Sequence, residues 1–122
     1  MALRILVVED EEELRALLAD MLEAMDHQVD TAGTGQAALG LLAVESYEVI
    51  LTDFRMEGMD GYDLFRRIRQ QWPHLARRVA FVTGQETVDV GDEEASVPIL
   101  TKPYSFDGLR DVIAMVLARN DA

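Results

Sequence analysis

Residues 4–25 read RILVVEDEEELRALLADMLEAM, and this stretch decides the fold class. It contains four consecutive aliphatic residues, a run typical of a buried strand, and five acidic residues follow directly. Apolar residues then recur at positions 14, 17, 18, 21, 22 and 25, which is the spacing of an amphipathic helix. The stretch therefore predicts a buried β-strand, an acidic turn and a helix, in that order.

The same unit recurs along the chain. Four more short, β-branched runs predict strands at 28–32, 49–52, 79–83 and 99–101. Segments with helical spacing lie between or after them, at 39–42, 64–72 and 109–117. This alternation predicts an α/β fold, a doubly wound parallel sheet of five strands with helices on both faces. Asp60 and Ser105 suit the N-caps of the third and last helices, and Pro98 suits a strand at the sheet edge.

One segment departs from this alternation. Residues 84–96 read GQETVDVGDEEAS, with five acidic residues, no basic residue and a glycine in the middle. No apolar stripe long enough to bury a helix is present there. We therefore expect a solvated loop, in which the fourth helix of the fold is short or irregular.

The composition of the chain excludes several classes of function. The 122 residues predict a single domain over 1–122, and 11 basic against 23 acidic residues give a net charge of −12. Such acidity argues against direct nucleic-acid binding and against anionic membranes. The chain has no cysteine and only two histidines, far apart, so a thiol or histidine metal site is not expected. No apolar run approaches the ~20 residues of a membrane span, so we expect no membrane insertion and a cytoplasmic location.

Polar side chains collect where the predicted strands end. Because the carboxyl ends of parallel strands meet at one edge of a sheet, ligands bind there. The residues at four of the five strand ends are Glu9, Asp10, Asp53, Thr83 and Lys102, the last being the only lysine. Two carboxylates about 4 Å apart repel by roughly 4 kcal/mol at an effective dielectric constant near 20, so a cation is expected among three of them. Oxygen ligands alone favour Mg²⁺, with Mn²⁺ as an alternative.

Each residue also has a purely structural interpretation. Acidic residues after a strand often cap the next helix, and residues 11–13 fit its first turn, where the helix dipole favours negative charge. Asp10 alone, Thr83 alone or Lys102 alone would be unremarkable. Their joint occurrence at four strand ends favours a phosphate-handling site, in which a carboxylate accepts a phosphoryl group beside the metal and lysine offsets the added charge.

The sequence resembles the response-regulator receiver domain, the phospho-accepting module of two-component signalling. Four stretches carry the resemblance in the family's order, and together they span most of the chain. They are ILVVEDE at 5–11, VILTDFRMEGMDG at 49–61, VAFVTG at 79–84 and ILTKPYS at 99–105. The resemblance implies a flavodoxin-like sheet with strand order 2-1-3-4-5.

The resemblance also implies roles for single residues. Asp53 would be the phosphoacceptor, and Glu9 and Asp10 would hold Mg²⁺ together with Asp53. Arg55 would offer its backbone carbonyl to the metal. Thr83 would be the switch hydroxyl, and Lys102 the phosphate-binding lysine before a proline, Pro103, that is usually cis in the family. The phosphoryl donor would be a histidine kinase or a histidine phosphotransfer protein, and a further, unidentified protein would receive the signal.

The sequence departs from the family at several positions. Glu57 stands where the family usually has proline, and Ile99 stands where a switch aromatic is usual, so an aromatic swing after Thr83 movement is not expected. The side chains of Arg55 and Gln85 flank the site and are expected to tune hydrolysis of the phosphoryl group. An isoleucine at this position also resembles receivers attached to hybrid histidine kinases. We therefore expect the chain to be either a single-domain regulator or a segment of a larger protein.

Two other functions remain open at this point. A degenerate receiver would act as a phosphorylation-independent interaction module, although the five site positions argue against it. An aspartate-nucleophile phosphatase would have a second aspartate at position 55, which is arginine here. We therefore expect a protein that catalyses its own phosphorylation and dephosphorylation but does not act on a separate substrate.

Overall fold

The architecture is known from a computed structural model, which describes residues 2–83, 97–101 and 104–120. Five strands form one parallel sheet in the order β2-β1-β3-β4-β5. The strands are β1 Arg4–Val8, β2 Gln28–Ala32, β3 Val49–Asp53, β4 Val79–Thr83 and β5 Ile99–Thr101. All five predicted strands and their order are confirmed, and β3 is one residue longer than predicted, so that Asp53 is its last residue.

Four α-helices and one 3₁₀ turn are present in the described residues. The helices are α1 Glu12–Ala24, α2 Gly35–Val44, α3 Gly61–Gln71 and α4 Phe106–Asn120, and the 3₁₀ turn is Pro73–Arg78. The expected short or irregular fourth helix falls on 84–96, which lies outside the described residues. Pro98 precedes the edge strand β5, as predicted.

Both faces of the sheet are buried, which explains the continuous apolar runs of its central strands. Successive side chains of a strand point to opposite faces, so β1 sends Leu6 and Val8 to one side and Ile5 and Val7 to the other. The first face packs against α2 and α3 through Ala38, Leu42, Leu64, Phe65 and Ile68. The second packs against α1 and α4 through Leu18, Leu22, Leu109, Val112, Ile113 and Val116.

The predicted helix faces are correct except at the outer edge of α1. Leu18 and Leu22 are buried, but Leu17, which belongs to the predicted stripe, is 46% exposed. The stripe is wider than the surface that the sheet offers, so its flank faces solvent.

Asp60 caps α3 as predicted, because its side chain accepts from the Asp63 N–H at 2.8 Å. Ser105 likewise accepts from the Gly108 N–H at 2.9 Å at the start of α4.

Candidate functional site

Three acidic residues meet at the carboxyl edge of the two central strands. Strand β1 lies beside β3 with Val8 level with Thr52, so Glu9 and Asp10, which follow β1, emerge beside Asp53 at the end of β3. One carboxylate oxygen from each of the three lies within 4.8 Å of the others. The structure therefore brings together the three acidic residues that the sequence singled out, although 43 residues separate Asp10 from Asp53 along the chain.

The three carboxylates differ in their exposure to solvent. Glu9 is fully buried, Asp53 is 7% exposed, and Asp10 lies on the surface. Burying charged carboxylates side by side is costly, since solvent no longer screens their repulsion. The set consists only of oxygen ligands, is open to solvent on the Asp10 side and is narrow enough for one ion. These properties fit a hard divalent cation such as Mg²⁺.

The loop after β3 closes one side of this acidic cluster with backbone N–H groups. The Glu57 N–H donates to Oδ2 of Asp10 at 3.3 Å, and the Arg55 N–H donates to Oδ1 of Asp53 at 3.4 Å. The loop then returns to the strand, where the Gly61 N–H donates to the Phe54 carbonyl at 2.9 Å. These contacts place the backbone N–H of Arg55 at the site, and its side chain is exposed.

Helix α1 holds the other side of the cluster. The guanidinium of Arg15 donates from Nη1 to the Glu9 carbonyl at 2.9 Å, and the Glu11 N–H donates to Oε1 of Glu9 at 3.2 Å. A β-carbon at Gly33 would lie 3.0 Å from Nη1 of Arg15, so glycine leaves room for the guanidinium. Arg15 was not predicted as a site residue from the sequence. The sequence did contain a signal for this role, since Arg15 lies about one turn into the helix that follows the acidic end of β1.

Tyr104 is a second residue that the sequence analysis did not single out. Its hydroxyl oxygen is buried, and its ring packs against the apolar cluster that α1 and α4 share with the sheet. Burial raises the pKa of this phenol, and the nearby carboxylates of Glu9, Asp53 and Glu11 raise it further.

Of the remaining predicted site residues, Thr83 lies along the same edge. Thr83 ends β4, is 2% exposed and stands level with Thr101 of β5. Asp53 pairs with Val82, so Thr83 comes one residue beyond the level of the acidic residue on the neighbouring strand. Ile99 is half-buried and packs against the first apolar face. Lys102, Pro103 and Gln85 lie outside the described residues.

Comparison with known proteins identifies the family. The profile described as "Response regulator receiver domain" matches residues 5–114. The chain belongs to the response regulator receiver domain family. It is a receiver of the kind found in two-component systems, which have a phosphoryl-accepting signalling role.

Two relatives show where such receivers occur. Response regulator protein FleR of Pseudomonas aeruginosa is 35% identical over 117 residues, which cover 93% of this chain and 24% of FleR. Sensor histidine kinase RcsC of Salmonella typhi is 36% identical over 118 residues, which cover 94% of this chain and 12% of RcsC. The receiver thus spans a quarter or less of the length of these relatives.

Solved structures show the same fold. Chemotaxis protein CheY4 of Vibrio cholerae superposes with a TM-score of 0.85 at 22% identity, covering 95% of this receiver and 99% of that chain. Response regulator TrrA of Thermotoga maritima, solved in complex with Mg(2+)-BeF, superposes with a TM-score of 0.78 at 25% identity, covering 93% and 97%. Within the described residues, no helix of the receiver is long and apolar enough to cross a membrane.

Proposed function

We propose that Asp53 accepts a phosphoryl group from a phosphohistidine in a reaction that depends on Mg²⁺. The observation that carries this proposal is the convergence of Glu9, Asp10 and Asp53 within 4.8 Å at the carboxyl edge of the sheet. We assign Asp53 as the acceptor because it is the last residue of β3, the central strand of the sheet, with two strands on either side. Glu9 is fully buried, and Asp10 is exposed to solvent.

The three acidic residues would hold the metal, together with the backbone carbonyl of Arg55. Mg²⁺ suits this set, with Mn²⁺ as the alternative, because the donors are oxygens and one side is open to water. When bound, the ion supplies positive charge that offsets the phosphoryl oxygens. The description of TrrA as a complex with Mg(2+)-BeF supports this assignment.

The transfer itself requires positioning rather than proton abstraction. A carboxylate oxygen of Asp53 attacks phosphorus, the P–N bond of the phosphohistidine breaks, and its electron pair stays on the imidazole. The product is an acyl phosphate on Asp53. Phosphoryl transfer passes through a loose transition state, so catalysis consists mainly of alignment and charge neutralisation. Lys102 would bind a phosphoryl oxygen as a point charge. The Thr83 hydroxyl would respond to the bound phosphoryl group and so couple phosphorylation to β4 and β5.

The partners follow from the same chemistry. A histidine kinase or a histidine phosphotransfer protein would be the donor, and the relative RcsC is named a sensor histidine kinase. A protein of unspecified identity would read the switched surface. We place these reactions in the cytoplasm, where phosphoryl donors derived from ATP are made.

Intact-mass measurement tests the assignment. The receiver is incubated with Mg²⁺ and acetyl phosphate, and the expected result is the added mass of one phosphoryl group. The Asp53→Asn variant is expected to gain none, whereas Asp111→Asn, which removes an exposed acidic residue of α4, is expected to react as the wild type does. A wild-type chain that gains no mass, or a gain that survives Asp53→Asn, would refute the proposal and favour an interaction module that works without phosphorylation.

A further inference from the structure

The backbone of Glu9 is held from two sides just beyond the end of β1. Its N–H donates to the carbonyl of Ala32, the last residue of β2, at 3.1 Å. Its own carbonyl accepts from Nη1 of Arg15, on α1, at 2.9 Å. The pairing of β1 with β2 ends where Val8 lies level with Ala32. Arg15 therefore extends the anchoring of the chain beyond the last pair of the two strands.

The peptide unit that Arg15 contacts joins two of the three acidic residues. The carbonyl belongs to the bond between Glu9 and Asp10, and a peptide unit is planar and rigid. Its orientation therefore sets one backbone dihedral angle of each residue, and with it the direction in which each side chain leaves the chain. Both carboxylates place an oxygen within 4.8 Å of an oxygen of Asp53. Fixing this one peptide unit thus fixes two carboxylates relative to the third.

Gly33, which follows β2, leaves the space that the guanidinium occupies. A β-carbon at Gly33 would lie 3.0 Å from Nη1 and 3.6 Å from Cζ of Arg15. Apart from the chain neighbours of Gly33, the described residues place no other heavy atom within 4 Å of that point. A methyl group here would therefore act on the acidic cluster by displacing the guanidinium.

We propose that Arg15 is a positioning residue of the acidic site, whose guanidinium fixes the peptide between Glu9 and Asp10 and so holds both carboxylates in the arrangement that binds Mg²⁺. This inference rests on the proposed Mg²⁺-dependent function. Arg15 acts through the backbone of Glu9 rather than on the reacting atoms. Groups that orient metal ligands contribute strongly to metal affinity, and their loss typically weakens binding by ~10–100-fold.

The charge of Arg15 taken alone predicts the opposite effect, so the two roles can be separated. A positive charge near a cation site repels the cation. If Arg15 acted through its charge, removing the side chain would tighten Mg²⁺ binding. If it acts by positioning, removal weakens Mg²⁺ binding, and lysine cannot replace arginine because it lacks the planar guanidinium.

Calorimetric titration of the phosphate-free receiver with Mg²⁺ measures the effect. We expect Arg15→Ala to raise the dissociation constant about tenfold. Arg15→Lys, which retains the charge, is expected to raise it as well. Arg110→Ala is the matched control, because Arg110 is exposed on α4 and pairs with Asp107 at 3.2 Å, and it should leave the affinity unchanged. Tighter Mg²⁺ binding by Arg15→Ala would overturn the inference in favour of a charge effect.

Gly33→Ala tests the same contact without changing any charge. The displaced atoms end a flexible side chain, so the variant is expected to fold as the wild type does, while its Mg²⁺ dissociation constant rises. In an Arg15→Ala background the added methyl group has no guanidinium to displace, so Gly33→Ala is expected to weaken Mg²⁺ binding no further. An equal loss in both backgrounds would show that the substitution does not act through Arg15 and would contradict the inference.

The outcomes separate this inference from the proposed function. Wild-type Mg²⁺ affinity in folded Arg15→Ala and Gly33→Ala receivers that still become phosphorylated would overturn the role of Arg15 alone. A wild-type receiver that neither binds Mg²⁺ nor accepts a phosphoryl group would overturn both.

Discussion

The backbone oxygen of Asp53 lies 2.2 Å from the point that a β-carbon on Gly61 would occupy. The start of α3 therefore rests directly on the end of β3, with Gly61 donating its N–H to the Phe54 carbonyl. Real β-carbons do not approach a backbone oxygen so closely. The glycine is required because the loop between these residues must return to the strand end, and this return sets the position of Asp53.

We predict that Gly61→Ala lowers the free energy of unfolding by about 3 kcal/mol, because strand or helix must move to admit the methyl group. Gly40→Ala is the matched control. Gly40 lies inside α2, and its β-carbon would meet nothing within 4 Å, so this change is expected to stabilise by up to about 1 kcal/mol. Urea unfolding of both variants gives the comparison. Equal stability of Gly61→Ala and the wild type would mean that the contact relaxes without cost.

Neutralising one acidic residue of the cluster should raise the melting temperature without Mg²⁺ but reduce the stabilisation that Mg²⁺ provides. Asp10→Asn removes a like charge within 4.8 Å of two others, so the melting temperature in Mg²⁺-free buffer is expected to rise. The increase in melting temperature on adding Mg²⁺ is expected to be largely lost, because a ligand is gone. Asp111→Asn removes one negative charge as well and should retain the full Mg²⁺ response. Thermal scans with and without Mg²⁺ measure both effects, and an unchanged response in Asp10→Asn would exclude Asp10 as a ligand.

His27 gives the fold a defined pH dependence. Its Nδ1 accepts the Leu3 N–H at 3.1 Å, so it must be neutral, and burial lowers the pKa of this imidazole below its usual 6.5. The unfolded chain binds the proton more readily, so this stabilisation is complete above pH 6.5. It is lost as the pH falls from 6.5 through the folded pKa. Melting temperatures measured from pH 8 to pH 5 should fall less steeply for His27→Gln than for the wild type. Parallel slopes would contradict this prediction.

The Tyr47 hydroxyl is expected to serve stability alone. Tyr47 is 2% exposed and donates to Oδ2 of Asp30 at 2.6 Å, while Arg4 contacts the same oxygen and lies over the ring. We predict that Tyr47→Phe lowers the free energy of unfolding by about 1.5 kcal/mol, typical of a hydrogen bond to a charged group. Phosphorylation of Asp53 should continue at the wild-type rate, since Tyr47 precedes β3 and Arg4 begins β1, at the opposite end of these strands from the acidic cluster. Denaturant unfolding and intact-mass kinetics provide the two measurements.

Periodicity predicted most of the fold because the strands are short and the central ones, β1, β3 and β4, are buried on both faces and bounded by polar residues. The convergence of Glu9, Asp10 and Asp53 was predictable as well, since parallel strands place their carboxyl ends at one edge. The exposure of Leu17 was not, because the width of an apolar stripe does not reveal how much surface the sheet offers. Tyr104 was missed for a related reason. A residue three positions after a strand reads as loop, and only the packing shows that its hydroxyl turns inward.

The pairing of β1 with β3 has a consequence for how the molecule folds. Glu9 follows β1 and Asp53 ends β3, and α1, β2 and α2 lie between these two strands in the chain. The carboxylates therefore approach one another only when this long-range pairing forms. We therefore expect electrostatic repulsion to arise late in folding, when this long-range pairing forms. A cation that neutralises this repulsion should therefore stabilise the native state more than the early folding intermediates. Magnesium should accordingly slow unfolding while leaving the first steps of refolding nearly unchanged.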